Sequence, residues 1–144
     1  MKKERSAGAI VFRKDKEPIY LLLNYEAKHW DFPKGNIETN ETDTETVKRE
    51  IAEETGIKDI EIVKEFKEKI HYFYKLKEEL ISKEVVFYLA KTNTKQIKLS
   101  FEHIGSIWLP YKEAIDKLTY KNSKEILKKA NEFLKTHKTL DDFS

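Results

Sequence analysis

Apolar segments separated by polar turns predict strands along much of the chain. The segment 84–92 is the clearest, because it is rich in β-branched and aromatic residues. Residues 60–74 alternate apolar with charged positions, which indicates one strand or a bent pair of strands. The predicted strands are residues 5–13, 19–25, 60–74, 84–92 and 105–109, with an aromatic loop or short strand over 29–35.

Three segments carry the signals of helices. Thr42 is followed three residues later by Glu45, as in a capping box, and Gly56 suits the end of the same helix. The last helix places its apolar residues along one face. The predicted helices are residues 43–55, 111–118 and 123–137. A mixed sheet flanked by helices predicts an α/β or α+β fold.

The composition narrows the classes of protein to which the chain can belong. Its 144 residues include no linker-like stretch, which predicts one domain over 1–144 with a frayed tail at about 138–144. The chain contains no cysteine, and its apolar runs are far too short to span a bilayer, so we expect a cytoplasmic protein. With 28 basic and 26 acidic residues, the balanced charge argues against general binding of duplex nucleic acid.

An acidic cluster lies within the first predicted helix. Glu50, Glu53 and Glu54 share one helical face, where like charges repel by about 0.2–0.5 kcal/mol per pair. A hard cation such as Mg²⁺ would reverse that sign, because it prefers carboxylate oxygens. Arg49 lies four residues before Glu53 and can orient one carboxylate. In a highly charged chain such a cluster is more often only a solvated face.

The spacing of the whole segment 35–57 favours the cation site. It fits the pattern G-x5-E-x7-R-E-U-x-E-E-x-G-U, in which U is a bulky aliphatic residue, without a mismatch. The matching residues are Gly35, Glu41, Arg49, Glu50, Ile51, Glu53, Glu54, Gly56 and Ile57. This pattern resembles the Nudix box.

The resemblance implies a Nudix-type α/β/α sandwich with a mixed central sheet, and a site for Mg²⁺ or Mn²⁺. It assigns the metal to Gly35, Glu50, Glu53 and Glu54, with Glu102 as a further ligand. The implied catalytic set is Arg49, Glu50, Glu53, Glu54 and Glu102, in which Glu50 and Glu102 compete as the general base. Glu41 and Arg49 would brace the loop and the helix. The implied reaction is hydrolysis of a nucleoside diphosphate linked to another group.

Segments outside the box indicate the substrate. HWDFPKGNIE, FKEKIHYFYK, SKEVVFYLA and LSFEHIGSIWL resemble asymmetric diadenosine tetraphosphate hydrolases. By that resemblance His29, Lys34 and Lys83 contact the phosphate chain, and Tyr72 and Tyr120 stack on adenine. Such a substrate needs cations for its phosphates and flat aromatic faces for its bases.

Some alternatives stay open at this stage. Another Nudix substrate, such as 5′-triphosphorylated RNA, would use much of the same outline, and a non-catalytic nucleotide sensor is a further alternative. We expect a monomer or weak dimer that takes a small nucleotide and contacts no membrane. The remaining histidines, including His103, have no partner at metal-ligand spacing and are interpreted as structural or surface residues.

Overall fold

The computed structural model describes residues 1–25, 28–101 and 103–137, which form seven strands and three helices. The strands are β1 (Lys2–Lys14), β2 (Pro18–Tyr25), β3 (His29–Asp31), β4 (Lys34–Asn36), β5 (Glu61–Leu76), β6 (Glu79–Lys91) and β7 (Gly105–Pro110). The helices are α1 (Asp43–Thr55), α2 (Tyr111–Lys117) and α3 (Lys121–Thr136). The tail predicted to fray lies outside the described residues.

Strand β1 lies at the centre of a mixed sheet with the order β3-β2-β1-β6-β5. It pairs in parallel with β6 along one edge and antiparallel with β4 and β2 along the other. Strand β7 pairs with β2. The segment that precedes α1 therefore enters the sheet directly beside β1, where the N–H of Ala9 donates to the carbonyl oxygen of Pro33 at 3.2 Å.

The alternation of side chains along β1 separates two apolar layers. Ala9 and Val11 face α1 and belong to the cluster that contains Val47 and Ile51. Residues of the opposite parity, such as Ile10, face α2 and α3. The sheet is thus enclosed between α1 on one face and the two C-terminal helices on the other. The predicted α/β/α sandwich is confirmed.

Backbone pairing extends several strands beyond their apolar segments. Strand β6 begins at Glu79, five residues before the predicted strand, because it continues a hairpin with β5 up to the turn at Lys77 and Glu78. Strand β1 begins at Lys2 because it pairs in parallel with that extension. Polar side chains on exposed strand ends leave no apolar signal in the sequence.

None of the described helices combines the length and the apolar character that crossing a membrane requires.

Candidate functional site

Capping residues and buried apolar side chains fix the ends and the orientation of helix α1. Thr42 and Glu45 form the predicted capping box, with each side chain accepting from the backbone N–H of the other residue. The helix ends at Gly56, whose φ of 77° lies in the left-handed region. Val47 and Ile51 are fully buried against the sheet, so the acidic face of the helix turns toward the segment 34–36.

The three glutamates of this face differ in their exposure. The side chain of Glu54 is 5% exposed, that of Glu50 16%, and that of Glu53 59%. Gly35 accounts for the burial of Glu50, because a Cβ atom on Gly35 would overlap the Glu50 carboxylate. The lack of a side chain at Gly35 therefore lets the segment before the helix lie directly against a candidate metal ligand.

Glu54 is oriented by two residues at its base. Its Oε1 atom lies 3.2 Å from the hydroxyl of Tyr25, which divides its one proton between Glu54 and the backbone oxygen of Phe32 at 2.8 Å, and 3.2 Å from Nε2 of His103. Its Oε2 atom is buried and has no hydrogen-bond partner among the described residues. Burial, together with the nearby Glu50 carboxyl, raises the pKa of Glu54 to about 9.

Arg49 occupies the centre of the acidic cluster. Its Nη1 atom donates to Glu50 at 2.7 Å and to Glu53 at 3.2 Å. Its Nε atom donates to Glu41 at 2.7 Å, and Nη2 donates to the backbone oxygen of Asn36 at 3.0 Å. The guanidinium lowers the pKa of the Glu41 carboxyl to about 2. Arg49 thus joins the loop to the helix and offsets the repulsion between two of the glutamates.

The residues present fit a divalent cation. A buried carboxylate with one oxygen unpartnered, beside a second carboxylate packed on a glycine, is a donor set of the kind that Mg²⁺ prefers. Within residues 1–25, 28–101 and 103–137, no three acidic or histidine side chains already converge on one point. Glu53 is instead held by Arg49. Glu102, predicted as a further ligand or base, lies outside the described residues.

A cavity of about 280 Å³ lies on the other side of the segment 34–36. Tyr72 of β5 and Tyr120, which precedes α3, contribute aromatic faces, and Lys34 lies at its edge. The complete lining is Asp31, Lys34, Ile70, Tyr72, Tyr120, Asn122 and Ser123. The structure therefore brings together three of the five predicted substrate-binding residues in one cavity.

The other two predicted residues lie close to this cavity. His29 contacts Tyr120, with Nδ1 2.7 Å from the phenol oxygen. Lys83 is the cross-strand partner of Tyr72, and its ammonium donates to Oδ1 of Asn36 at 2.9 Å. It also forms an ion pair with Glu4 at 3.4 Å. All five residues therefore form one region that adjoins the acidic face of α1.

Sequence reasoning missed several residues of this region. His103, interpreted as structural or surface, is buried and contacts Glu54, and Tyr25 contacts the same carboxylate. Asp31 lies between Trp30 and Phe32 in the quoted HWDFPKGNIE segment, yet nothing in that segment reveals its partner Ser123, 92 residues away. These contacts form across the sheet and have no local signal.

Comparisons with known proteins identify the family of the chain. A model of the NUDIX domain matches residues 2–130. The asymmetrical bis(5′-nucleosyl)-tetraphosphatase of Mus musculus is 34% identical over 143 residues, which cover 90% of this chain and 95% of that relative. A solved C. elegans Ap4A hydrolase, in a binary complex, has a TM-score of 0.81 and 30% identity over 92% of this chain and 98% of its own.

A further relative matches a shorter part of the chain. The RNA pyrophosphohydrolase of Bartonella henselae is 34% identical over 76 residues, which cover 47% of this chain and 44% of that relative. The family model, by contrast, extends from the first strand to the last helix. The resemblance inferred from the segment 35–57 is confirmed, and the chain belongs to the NUDIX domain family.

Proposed function

We propose that the protein is a Nudix pyrophosphohydrolase that cleaves diadenosine tetraphosphate asymmetrically, giving ATP and AMP. The cavity between Tyr72 and Tyr120 carries this proposal, because it adjoins the acidic face of α1 through Lys34 and Gly35. It offers flat faces for a base at one end and carboxylates for a cation at the other. The mouse and C. elegans relatives, both named as hydrolases of such dinucleotides, support the same substrate.

Nudix hydrolases generally need a divalent metal. We assign Mg²⁺ or Mn²⁺ here to the carboxylates of Glu50, Glu53 and Glu54 and to the carbonyl oxygen of Gly35. When bound, the cation supplies charge neutralisation for the phosphate oxygens and acidifies a water for attack on phosphorus. Tyr25 and His103 orient Glu54 by its Oε1 atom, which leaves Oε2 for the cation.

The remaining roles, which are bracing the loop, accepting a proton and binding phosphate, are assigned to side chains of the protein. Arg49 and Glu41 hold the loop against α1, and a bound cation would compete with Arg49 for the Glu53 carboxylate. Glu50 and Glu102 are the two candidates that accept the proton of the attacking water. The tetraphosphate carries about four negative charges, which Lys34 and Lys83 meet beyond the metal site.

The size of the cavity supports the proposal of asymmetric cleavage. Its volume of about 280 Å³ is at the lower limit of ligand pockets, which suits one nucleoside rather than a whole dinucleotide. Stacking on Tyr72 and Tyr120 would contribute about 1–3 kcal/mol for that base. With one adenosine held there, the phosphate chain reaches α1 at a position away from its centre, so the two products differ in length.

Separation of the products tests this function directly. The protein is incubated with diadenosine tetraphosphate and Mg²⁺ in ¹⁸O-labelled water, with EDTA as the control. We expect equal amounts of ATP and AMP, with the label in one of them, and no turnover in EDTA. Formation of two ADP molecules would exclude asymmetric cleavage.

The Bartonella relative favours one second candidate function, removal of pyrophosphate from 5′-triphosphorylated RNA. The two functions are separated by kcat/KM on diadenosine tetraphosphate and on a short triphosphorylated RNA. We expect the dinucleotide to be preferred, because the match to the RNA enzyme covers less than half of this chain. A higher kcat/KM for the RNA would reverse the assignment.

The expected partner is a small nucleotide, with neither duplex nucleic acid nor a membrane involved. The absence of cysteine favours a reducing compartment, so we assign the protein to the cytoplasm. We assign it as a monomer or weak dimer.

A further inference from the structure

Asp31 is a buried carboxylate between the two halves of the candidate site. The residue is 3% exposed. Its Oδ1 atom accepts from the N–H of Phe32 and from the hydroxyl of Ser123, both at 2.8 Å. Its Oδ2 atom accepts from the ammonium of Lys34 at 3.2 Å. A buried charge is tolerated only when it is paired and hydrogen-bonded, so these three bonds hold the carboxylate in one orientation.

Two of the three donors to Asp31, Lys34 and Ser123, come from separate segments that line the cavity. Lys34 belongs to β4 and directly precedes Gly35, which packs on Glu50. Ser123 lies in the first turn of α3, close to the aromatic wall formed by Tyr120. Asp31 therefore connects Lys34, which precedes the glycine packed on Glu50, with the helix that begins at the aromatic wall of Tyr120.

The other residues of β3 bond to the same segment. The N–H of Trp30 donates to Oγ1 of Thr119 at 2.8 Å, and the N–H of Thr119 donates to the oxygen of Trp30 at 3.2 Å. Nδ1 of His29 lies 2.7 Å from the Tyr120 hydroxyl. These bonds fix the position of Tyr120 relative to β3 before any ligand binds. Such preorganisation reduces the entropy lost on binding.

We propose that Asp31 is a positioning residue for substrate binding, which holds Lys34 at the edge of the cavity so that base stacking and phosphate contact occur together. This inference rests on the proposed function. A lysine ammonium has three N–H donors, so the bond to Asp31 leaves two for phosphate oxygens. Lys34 is thereby ordered in advance, and the substrate does not have to immobilise a free lysine.

Asp31→Asn tests the proposal, because it keeps the shape of the side chain and removes its charge. The asparagine side chain has one accepting oxygen and one donating NH₂ group. The two bonds that separate carboxylate oxygens accept from Lys34 and Ser123 therefore cannot both be kept. We expect the KM for diadenosine tetraphosphate to rise about tenfold, the size of one hydrogen bond to a charged group. We expect kcat to change by less than about twofold, because the lost contact stabilises the bound substrate and the transition state equally. An unchanged KM would overturn the proposal.

Asp59→Asn is the matched control. Asp59 also accepts three hydrogen bonds, from Thr92, the N–H of Asn93 and Thr94, and it does not line the cavity. Its replacement should lower the melting temperature and leave KM unchanged. If the role of Asp31 were purely structural, Asp31→Asn would likewise lower the melting temperature and leave KM unchanged. The loss of folded protein would then lower only the apparent kcat. An equal rise in KM in both variants would contradict a specific role for Asp31.

A double-mutant cycle with Lys34→Met identifies the route by which Asp31 acts. If Asp31 acts through Lys34, adding Asp31→Asn to the Lys34→Met variant should change KM further by less than about twofold. The same tenfold rise in both backgrounds would overturn the proposal.

Ser123→Ala provides a milder test if Asp31→Asn does not fold. It removes one donor and keeps the ion pair, so KM should rise about two- to threefold, the lower range for one hydrogen bond. An unchanged KM would mean that α3 and Lys34 are not coupled, which also overturns the proposal.

The wild-type protein separates this inference from the proposed function. If it does not hydrolyse diadenosine tetraphosphate, the proposed function fails first. The affinity of the same variants for ATP, measured by calorimetry, then decides the role of Asp31. A Kd for ATP that is equal in wild type and Asp31→Asn would overturn it.

Discussion

The burial of Glu54 is unfavourable for folding at neutral pH, although the proposed cation site requires this carboxyl group to be charged. Burial and the nearby Glu50 raise its pKa from 4.5 to about 9. Below pH 4.5 the carboxyl is neutral in both folded and unfolded chains, and its burial has little electrostatic cost. Between that pH and about 9 the unfolded chain ionises while the folded protein keeps the proton, so Glu54 destabilises the fold increasingly as the pH rises.

Glu54→Gln should therefore affect stability and activity in opposite directions. In EDTA at pH 8, the variant should melt several degrees above the wild type, because glutamine has no proton that the folded state must hold against the unfolded chain. This difference should disappear near pH 4. Turnover with Mg²⁺ should fall by orders of magnitude, since glutamine is a poor ligand for a hard cation. Differential scanning fluorimetry and product assays measure the two effects.

Glu132→Gln, an exposed glutamate on α3, is the control and should change neither quantity. A Glu54→Gln protein that retains wild-type turnover would contradict the assignment of Glu54 to the metal.

At the scale of elements, α1 is placed by both of its ends. The capping box at Thr42 begins the helix, and Gly56 ends it in a left-handed conformation. Because the glutamates lie within this one helix, a change in its last turn would displace Glu53 and Glu54 relative to Gly35. The position of the candidate metal ligands therefore depends on a backbone conformation that glycine adopts more readily than other residues.

Gly56→Ala tests that dependence. A left-handed conformation costs a residue with a Cβ atom about 1–2 kcal/mol, so the free energy of unfolding in urea should fall by that amount. The added Cβ would also lie 3.1 Å from Cβ of Lys98, a tight contact. Gly105→Ala is the matched control, because its Cβ would meet its nearest neighbour, Cβ of Asn24, at an ordinary 3.5 Å. Equal stability losses in the two variants would contradict a special requirement at Gly56.

At the scale of the whole molecule, the sheet brings separate segments to one site. Strand β1 places β4 beside α1, and the β5–β6 hairpin places Tyr72 and Lys83 as direct partners. Helix α3, on the opposite face from α1, reaches the same region only through its first turn. The acidic helix and the aromatic wall formed by Tyr72 and Tyr120 thus come from opposite faces and meet at the segment 34–36.

Magnesium should stabilise the folded molecule as a whole. On the proposed assignment a cation would bind the folded acidic face and not the unfolded chain, and binding at 100 times Kd would add about 2.7 kcal/mol of stability. The melting temperature should therefore rise with millimolar Mg²⁺ and fall again with EDTA. Sodium chloride of equal ionic strength is the control. The absence of a magnesium-specific shift would count against the proposed cation site.

Much of the fold and part of the site could be predicted from local patterns. The bounds of α1 and its two caps match the prediction because capping depends on residues three or four positions apart. The beginnings of β1 and β6 were missed because strand pairing, not side-chain polarity, extends them. The interpretation of His103 as a structural or surface residue left its contact with Glu54 unforeseen, because that contact joins two separate segments.

By itself, the sequence determined the helix that carries the acidic residues, the glycine before it and the family to which the chain belongs. These features depend on the spacing of residues within about twenty positions, and this spacing can be read directly from the sequence. Only the tertiary structure decided that Glu54 is buried and Glu53 exposed, that Arg49 holds Glu53, and that Asp31 bonds to both Lys34 and Ser123. Such contacts depend on the order of strands in the sheet, and burial sets the charge state of a carboxyl only after distant segments have packed around it.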